Sequence, residues 1–440
     1  MKSELQNGII LRKATADDTE KVAAFNDRVH AEPGEEGRLA AWTIDLMHGR
    51  HPTTSFDDFL VVETEEGEIV SSTCNIPQIW HYDGVPIQVG RPELVGTDEK
   101  WRKKGLVREQ FKALHAISEK KGDLMQVITG IPWYYRQFGY SHALDLGGGA
   151  AYDWGRPGNL AKIEEKDEKF GWRPAVVDDI PAFQRFYADH CKHSLITAQR
   201  DEQIWRHELQ GRSTASIYEK FYRLVTNKVG EPAGYVAFTI WPSGISIAEI
   251  GCAAGQAIRP LCLFVTRAIH RHFDQLIKQK YSTKNEPEMT KRLIFYLGQQ
   301  HDAYTALGPQ LGKKGKSYAW YIRIPDIPAF LMHIRPVLER RLASSVMMGH
   351  TGIHKVNLYR EHFAIQFEKG KIISIEPYQA KTVQDGDTLF TRPEFIQLIC
   401  GHKSFSEINH IHVDCYGNAE AAVLMNILFP QQHSQPIGIT

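Results

Sequence analysis

The chain has 440 residues, 42% of them apolar and 24% charged, with 52 basic side chains balanced by 52 acidic ones. Such a length exceeds one hydrophobic core and predicts about three domains, the composition excludes a disordered chain, and a formal charge of zero excludes a global field for nucleic acid or an anionic membrane. Six irregularly spaced cysteines without a C-x-x-C pair predict reduced thiols, no disulfide framework and no metal, and no apolar run suits a signal peptide or a membrane span, so a cytoplasmic protein is expected.

Ile9 to Lys13 reads as a strand, and Thr15-Ala16-Asp17-Asp18 as the start of a helix carrying Val22, Ala23, Phe25 and Val29 at helical spacing. An acidic loop with Glu32, Glu35 and Glu36 leads to a second helical segment, Leu39 to Met47. Phe59 to Thr64, Ile69 to Ile76 and Val85 to Val89 form a predicted meander joined by glycine turns, and it enters a strand at Leu94 to Thr97. A basic turn, Trp101 to Arg108, then opens an amphipathic helix with Leu106, Phe111, Leu114 and Ile117 on one face and a stop at Gly122. Strand, turn and helix start in this order hold phosphate, because the first helical N–H groups lack partners and lie at the positive end of the dipole. Next come a strand, Met125 to Thr129, and the aromatic run Tyr134 to Tyr140.

Gly155 to Gly158 and the charged run to Lys169 read as a linker. Beyond it, Arg173 to Ile180 repeats the theme of Leu11 to Asp18, a basic strand before a pair of aspartates. A strand at Gly234 to Ile240 and a helix at Pro260 to Lys280 follow, without a basic glycine turn between them. A strand at Ser317 to Ile324, a long helix at Ile327 to Ser344, strands at Leu358 to Phe367 and Lys371 to Glu376, and helices at Arg392 to Cys400 and Ala419 to Phe429 predict a small α+β module with a slot between sheet and helices.

The segment Leu94 to Arg108 resembles the acetyl-coenzyme A motif R-x-x-G-x-G/A of GNAT acetyltransferases, with Val107 in place of the usual small residue, and Tyr135 to Tyr140 resembles their following segment. Along the whole chain, two GNAT-like units and a sterol-carrier-like module resemble the enhanced-intracellular-survival (Eis-like) family. The resemblance implies tandem GNAT folds of mixed central sheets flanked by helices, followed by a sterol-carrier-like α+β domain, with boundaries at 1–155, 156–322 and 323–440. It also implies acetyl-CoA as co-substrate, bound by Val95, Gly96 and Thr97 and by Lys103, Lys104, Gly105, Leu106, Val107 and Arg108. The second unit, lacking the turn, is expected to bind no coenzyme and to wall the acceptor cleft.

By the same resemblance Tyr135 is the general acid, with Tyr134 as its competitor, since a phenol can return a proton to a departing thiolate. The base is the α-carboxyl of Thr440. The implied acceptor is a primary amine of a small cation or lysine, which Glu32, Glu35, Glu36 and Asp45 would suit, and the implied assembly is a homo-oligomer, possibly a hexamer. A carrier of lipid or apolar ligands working through the third domain is the competing function. His410, His412 and Asp414 read as one face of a strand that lacks a fourth metal ligand, and so as a polar surface.

Overall fold

The computed structural model describes residues 2–5, 8–156, 163–281 and 290–440. Its architecture is mixed α+β, built on three sheets. The first half of the chain supplies β1 (Lys2–Glu4), β2 (Ile10–Lys13), β3 (Phe59–Glu63), β4 (Ile69–Tyr82), β5 (Val85–Thr97), β6 (Met125–Ile128) and β7 (Ser141–Leu146). The predicted strands at 85–89 and 94–97 are therefore one long strand. Helices α1 (Thr19–His30) and α2 (Arg38–Met47) cover one face through Phe25, Trp42 and Leu46, while α3 (Leu106–Lys121) covers the other through Leu106 and Leu114.

A second sheet comprises β8 (Ala150–Tyr152), β9 (Phe170–Pro174), β11 (Phe221–Asn227), β12 (Pro232–Trp241), β13 (Gly244–Cys252) and β14 (Leu293–Phe295), in the order β8-β14-β13-β12-β11-β9. Between β9 and β11 in the chain, β10 (Ile196–Ala198) leaves this sheet and pairs with β4. The helices here are α4 (Ile180–Cys191), α5 (Glu202–Arg206), α6 (Ile258–Arg271), α7 (Phe273–Lys280) and α8 (Asp302–Leu307), so the helix expected over Pro260 to Lys280 is broken at His272.

The expected linker splits into two parts. Residues 157–162 lie outside the described residues. Beyond them the run 163–169 is exposed except at Glu168, which is buried and bonded by Arg267 at 2.6 and 2.7 Å, because two arginines on α6 neutralise it.

After the second sheet, β15 (Tyr318–Arg323) returns to the first and lies between β6 and β7. The remaining strands, β16 (Gly352–Asn357), β17 (His362–Glu368), β18 (Lys371–Pro377), β19 (Thr388–Leu389) and β20 (Tyr416–Gly417), form the third sheet. It is packed by α9 (Ile327–His333), α10 (Arg335–Ala343), α11 (Arg392–Ile399), α12 (Phe405–Ile411) and α13 (Ala419–Leu428). In its core Phe390 and Phe395 stand 5.1 Å apart, with Phe363, Phe405 and Phe429 around them, and a cavity of about 710 Å³ opens between Leu358 to Glu361 and the start of α11 at Thr391 to Pro393. This core is continuous with Trp80, Tyr82 and Trp320 of the first sheet.

The internal repeat has a physical basis. Arg12 grips Asp18 at 2.7 and 2.9 Å while Asp18 accepts from Thr15 N–H, and Arg173 grips Asp179 at 2.7 Å while Asp179 accepts from Val176 N–H. In each case one bidentate pair ties a strand to the start of the next helix. The Arg12 guanidinium lowers the Asp18 carboxyl from its usual 3.8 to about 2. Because this pKa is depressed on folding, the pair stabilises the protein above pH ~4 and loses that effect as the pH falls toward 2. Urea midpoints of wild type and Asp18→Asn across this range are expected to converge at the acid end, and a constant gap would show that the charge is irrelevant.

Candidate active site

The site begins where the first sheet splits. β5 and β6 are parallel partners only at Val89 with Met125 and Gly90 with Gln126; further along, each keeps only the partner on its other edge, β4 for β5 and β15 for β6. A wedge therefore opens between Arg91 to Thr97 and the end of β6. On the β5 side, Glu93 faces Cys74 and Gly96 faces Ser72, so Leu94 and Val95 together oppose the single residue Thr73. That is a β-bulge, and Leu94 takes a φ of +52° within it. The bulge frees backbone polar groups of the predicted strand residues from the ladder beside the opening. Gly96 is held tightly beneath α1, where a Cβ would meet His30 Nε2 at 2.7 Å.

Beyond Thr97 the chain turns through Asp98, which accepts from Lys100 N–H at 3.0 Å and from Arg28 at 2.5 Å. Lys103 at φ +62° and Gly105 at φ +80° then curl the backbone into a concave turn before α3. The first helical amide bonds begin with Arg108 N–H to Gly105 O, so the preceding amides lie at an open helix start. Around it, Lys103, Lys104, Gly105 and Arg108 are exposed, Val107 is half-buried and Leu106 is buried in the core. The predicted phosphate-turn residues thus come together, with Leu106 contributing backbone and anchorage.

Across the wedge, Tyr134 and Tyr135 lie in a short 3₁₀ turn, Tyr134–Phe138. Tyr135 is 5% exposed, packed near Phe111, Tyr140 and Tyr321, and its ring rests on Gly130, where a Cβ would approach Cε2 to 3.1 Å. Burial raises its phenol well above the usual range, and the charge of Glu93 raises it further. It is a neutral hydroxyl at physiological pH. Tyr134 is more open and feels Arg108 of the basic turn.

The far end of the chain enters from the opposite side. Ile439 O accepts from Gln78 Nε2 at 2.8 Å and from Arg91 Nη1 at 3.0 Å, and Arg91 is paired with Glu93 at 2.6 Å. Thr440 is 9% exposed, and its O and Oγ1 accept from Arg212 Nη2 at 3.0 and 3.2 Å. Arg212 in turn grips Glu208 at 2.8 Å. Glu208 lies in a π-helical turn, His207–Gly211, that continues α5; such a turn is a frequent feature of functional sites. Ile439, next to Thr440, is thus tied through Arg91 to Glu93, whose charge is felt at Tyr135.

Gln78, Arg91, Glu93, Glu208 and Arg212 were not foreseen. Arg91 and Glu93 left one signal, two opposite charges inside an otherwise apolar strand. Other expectations fail on packing. Asp45 is buried and accepts from Ser213 N–H at 2.7 Å, so it ties α2 to the second unit and is not part of an acidic acceptor surface. His410 lies in the last turn of helix α12 and His412 follows it, so the strand expected there is absent; the capping box of Ser404 and Glu407 starts a helix instead.

Residues 11–143 match the family described as acetyltransferase (GNAT) domain. A comparison with curated proteins gives no match. Among solved structures, the chain is similar to a GCN5-related N-acetyltransferase from Anabaena variabilis, with 13% identity, 98% of this chain and 100% of that one covered, and a TM-score of 0.67. A probable N-acyltransferase from Enterococcus faecalis gives 12% identity, 98% and 100% coverage, and 0.69. Eis1 from Mycobacterium abscessus gives 13%, 98% and 99%, and 0.59. At these identities the likeness is one of fold. Residues 11–143 form a GNAT acetyltransferase domain, and the chain is an acyltransferase.

Proposed function

We propose that this acyltransferase moves the acetyl group of acetyl-CoA to a primary amine of a small cationic acceptor or a lysine, in the wedge between β5 and β6. The observation that carries the reading is the convergence on one opening of a bulged strand, an open helix start ringed by cations, and a buried protonated tyrosine. Lys103 to Arg108 hold the pyrophosphate by backbone N–H groups and charge, and the backbone at Val95, Gly96 and Thr97 binds the pantetheine arm and polarises the thioester carbonyl.

In this mechanism the α-carboxylate of Thr440 accepts a proton from the attacking amine. The amine nitrogen bonds to the thioester carbon, the C–S bond breaks, and Tyr135 gives its proton to the leaving thiolate. Arg200, Arg212 and Lys220 face Glu208 and Glu249, and Arg212 also donates to Thr440, so the α-carboxylate balances the third cation and is held ionised and in place. The nearby His51 is pushed well below its usual pKa by burial and by the charges of His207 and Arg212.

The same reading takes the chain as Eis-like: two GNAT-like units and a sterol-carrier-like module, 1–155, 156–322 and 323–440, with β15 and β8 exchanged across the first boundaries. The repeated Arg–Asp clasp supports the tandem units. We further read it as cytoplasmic and homo-oligomeric; no helix among the described residues is long and apolar enough to cross a membrane.

Two experiments test the reading. Tyr135→Phe is expected to lower kcat by about 10²–10⁴ while calorimetry finds acetyl-CoA binding intact; wild-type protein that neither binds acetyl-CoA nor releases thiol with an amine panel would end the proposal. Arg212→Gln is expected to lower kcat and to speed amide exchange at residues 437–440, with acetyl-CoA affinity unchanged. Unaltered exchange and turnover would remove Thr440 from the mechanism.

A further inference from the structure

Outside the wedge, one cluster joins residues from distant parts of the chain without a role in acetyl transfer. His142 and Asp145 of β7 meet His402, which follows α11, and one ligand-capable atom of each lies within 4.8 Å of the others. Residues three apart on a regular strand point to opposite faces, so the meeting of His142 with Asp145 needs an explanation. The register supplies it. His142 is opposite Tyr321, Leu144 is opposite Trp320, and Asp145 is opposite Ala319, so Ala143 is an extra residue. Paired residues share a face, and Tyr321 and Ala319 lie two apart on β15. The bulge therefore turns Asp145 to the side of His142.

The third residue is fixed by different means. Gly401, at φ +66°, ends α11, and His402 N–H donates to Gln397 O at 3.0 Å, while Gln432 N–H donates to Gly401 O at 3.0 Å. The two imidazole centroids are 4.7 Å apart, and Nε2 of His142 is buried with no hydrogen-bond partner. Asp145 accepts from Ser317 Oγ at 2.9 Å, the kind of outer support that orients a ligating carboxylate. Asp145 and His402 line a cavity of about 480 Å³, together with His433, Lys316 and Lys403, and Lys403 is paired with Glu407 at 3.2 Å.

We propose that His142, Asp145 and His402 form a binding site for a divalent transition metal, zinc by preference, which clasps β7 of the first sheet to the turn after α11. Two imidazoles and a carboxylate are the donors such ions take, with a fourth position open to water or His433 from the cavity. Zinc bonds of about 2.0–2.1 Å place tetrahedral ligand atoms about 3.4 Å apart, so capture closes the triangle by no more than about 1.5 Å. The site is separate from the coenzyme wedge, and the proposal does not depend on the acceptor or the catalytic residues.

The test uses the full chain, stripped with chelator and titrated with zinc chloride by calorimetry, with cobalt(II) absorption as a second readout. Wild type is expected to bind one zinc per chain, to give the visible bands of a four- or five-coordinate cobalt, and to unfold at a higher temperature with zinc present. His402→Ala is expected to weaken binding by at least about 10-fold and Ser317→Ala by about 10–100-fold, each without the thermal shift of the wild type. Ser317→Ala leaves all three ligands in place, so its result does not depend on tolerance of a histidine loss. Absence of stoichiometric zinc binding to wild type, or equal binding by both variants, overturns the proposal.

Discussion

A buried charge network between residues 200 and 249 anchors the last residue of the chain. Arg200 has a side chain 1% exposed, pairs with Glu249 at 2.5 Å, and stacks 3.6 Å from the centroid of a Trp205 ring. Tyr222 donates to Glu208 at 2.6 Å, and Arg212 completes the set. Burying ions costs several kcal/mol each unless partners and hydrogen bonds replace water. The cheapest state is therefore the one in which every member keeps its place, and this holds the π-helical turn that aims Arg212. This segment, which lacks a basic phosphate turn, supplies an anchor for the last residues of the chain.

The wedge follows from a second constraint, the pairing capacity of strands. β6 pairs with β5 for two residues only, while its other edge is paired from Gln126 to Ile128 with β15, a strand nearly two hundred residues later in the chain. The later strand thus holds β6 on the side away from β5, and Tyr318 donates from β15 to Gly130 O beneath Tyr135.

The local parts of this arrangement were legible in the residues. Gly105 before an amphipathic run predicts the start of α3, Gly122 its end, and the shared arginine–aspartate spacing predicts the repeated clasp. What was illegible depends on partners far along the chain. No local pattern says that Tyr318–Arg323 returns to the first sheet, that Asp45 is spent on Ser213, or that Glu168 meets two arginines on α6. Alternating polar residues near His410 mimic a strand because His410 and His412 differ by two, and the capping box of Ser404 and Glu407 at the first turn of α12 outweighs that period.

Register is the deepest of these gaps, because one extra residue in a strand reverses the face of everything beyond it. Two such insertions lie at the sites described above. At Leu94 and Val95 the bulge releases backbone beside the wedge, and at Ala143 it brings His142 and Asp145 to one side. In both cases the inserted residue is apolar and ordinary, so nothing in its own chemistry marks it. The mark lies in the partner strand, whose shorter count forces the mismatch: Thr73 alone against Leu94 and Val95, and the consecutive Trp320 and Tyr321 against Leu144 and His142. A site made from backbone irregularity is therefore encoded in pairs of strands, and it becomes readable only when both are aligned.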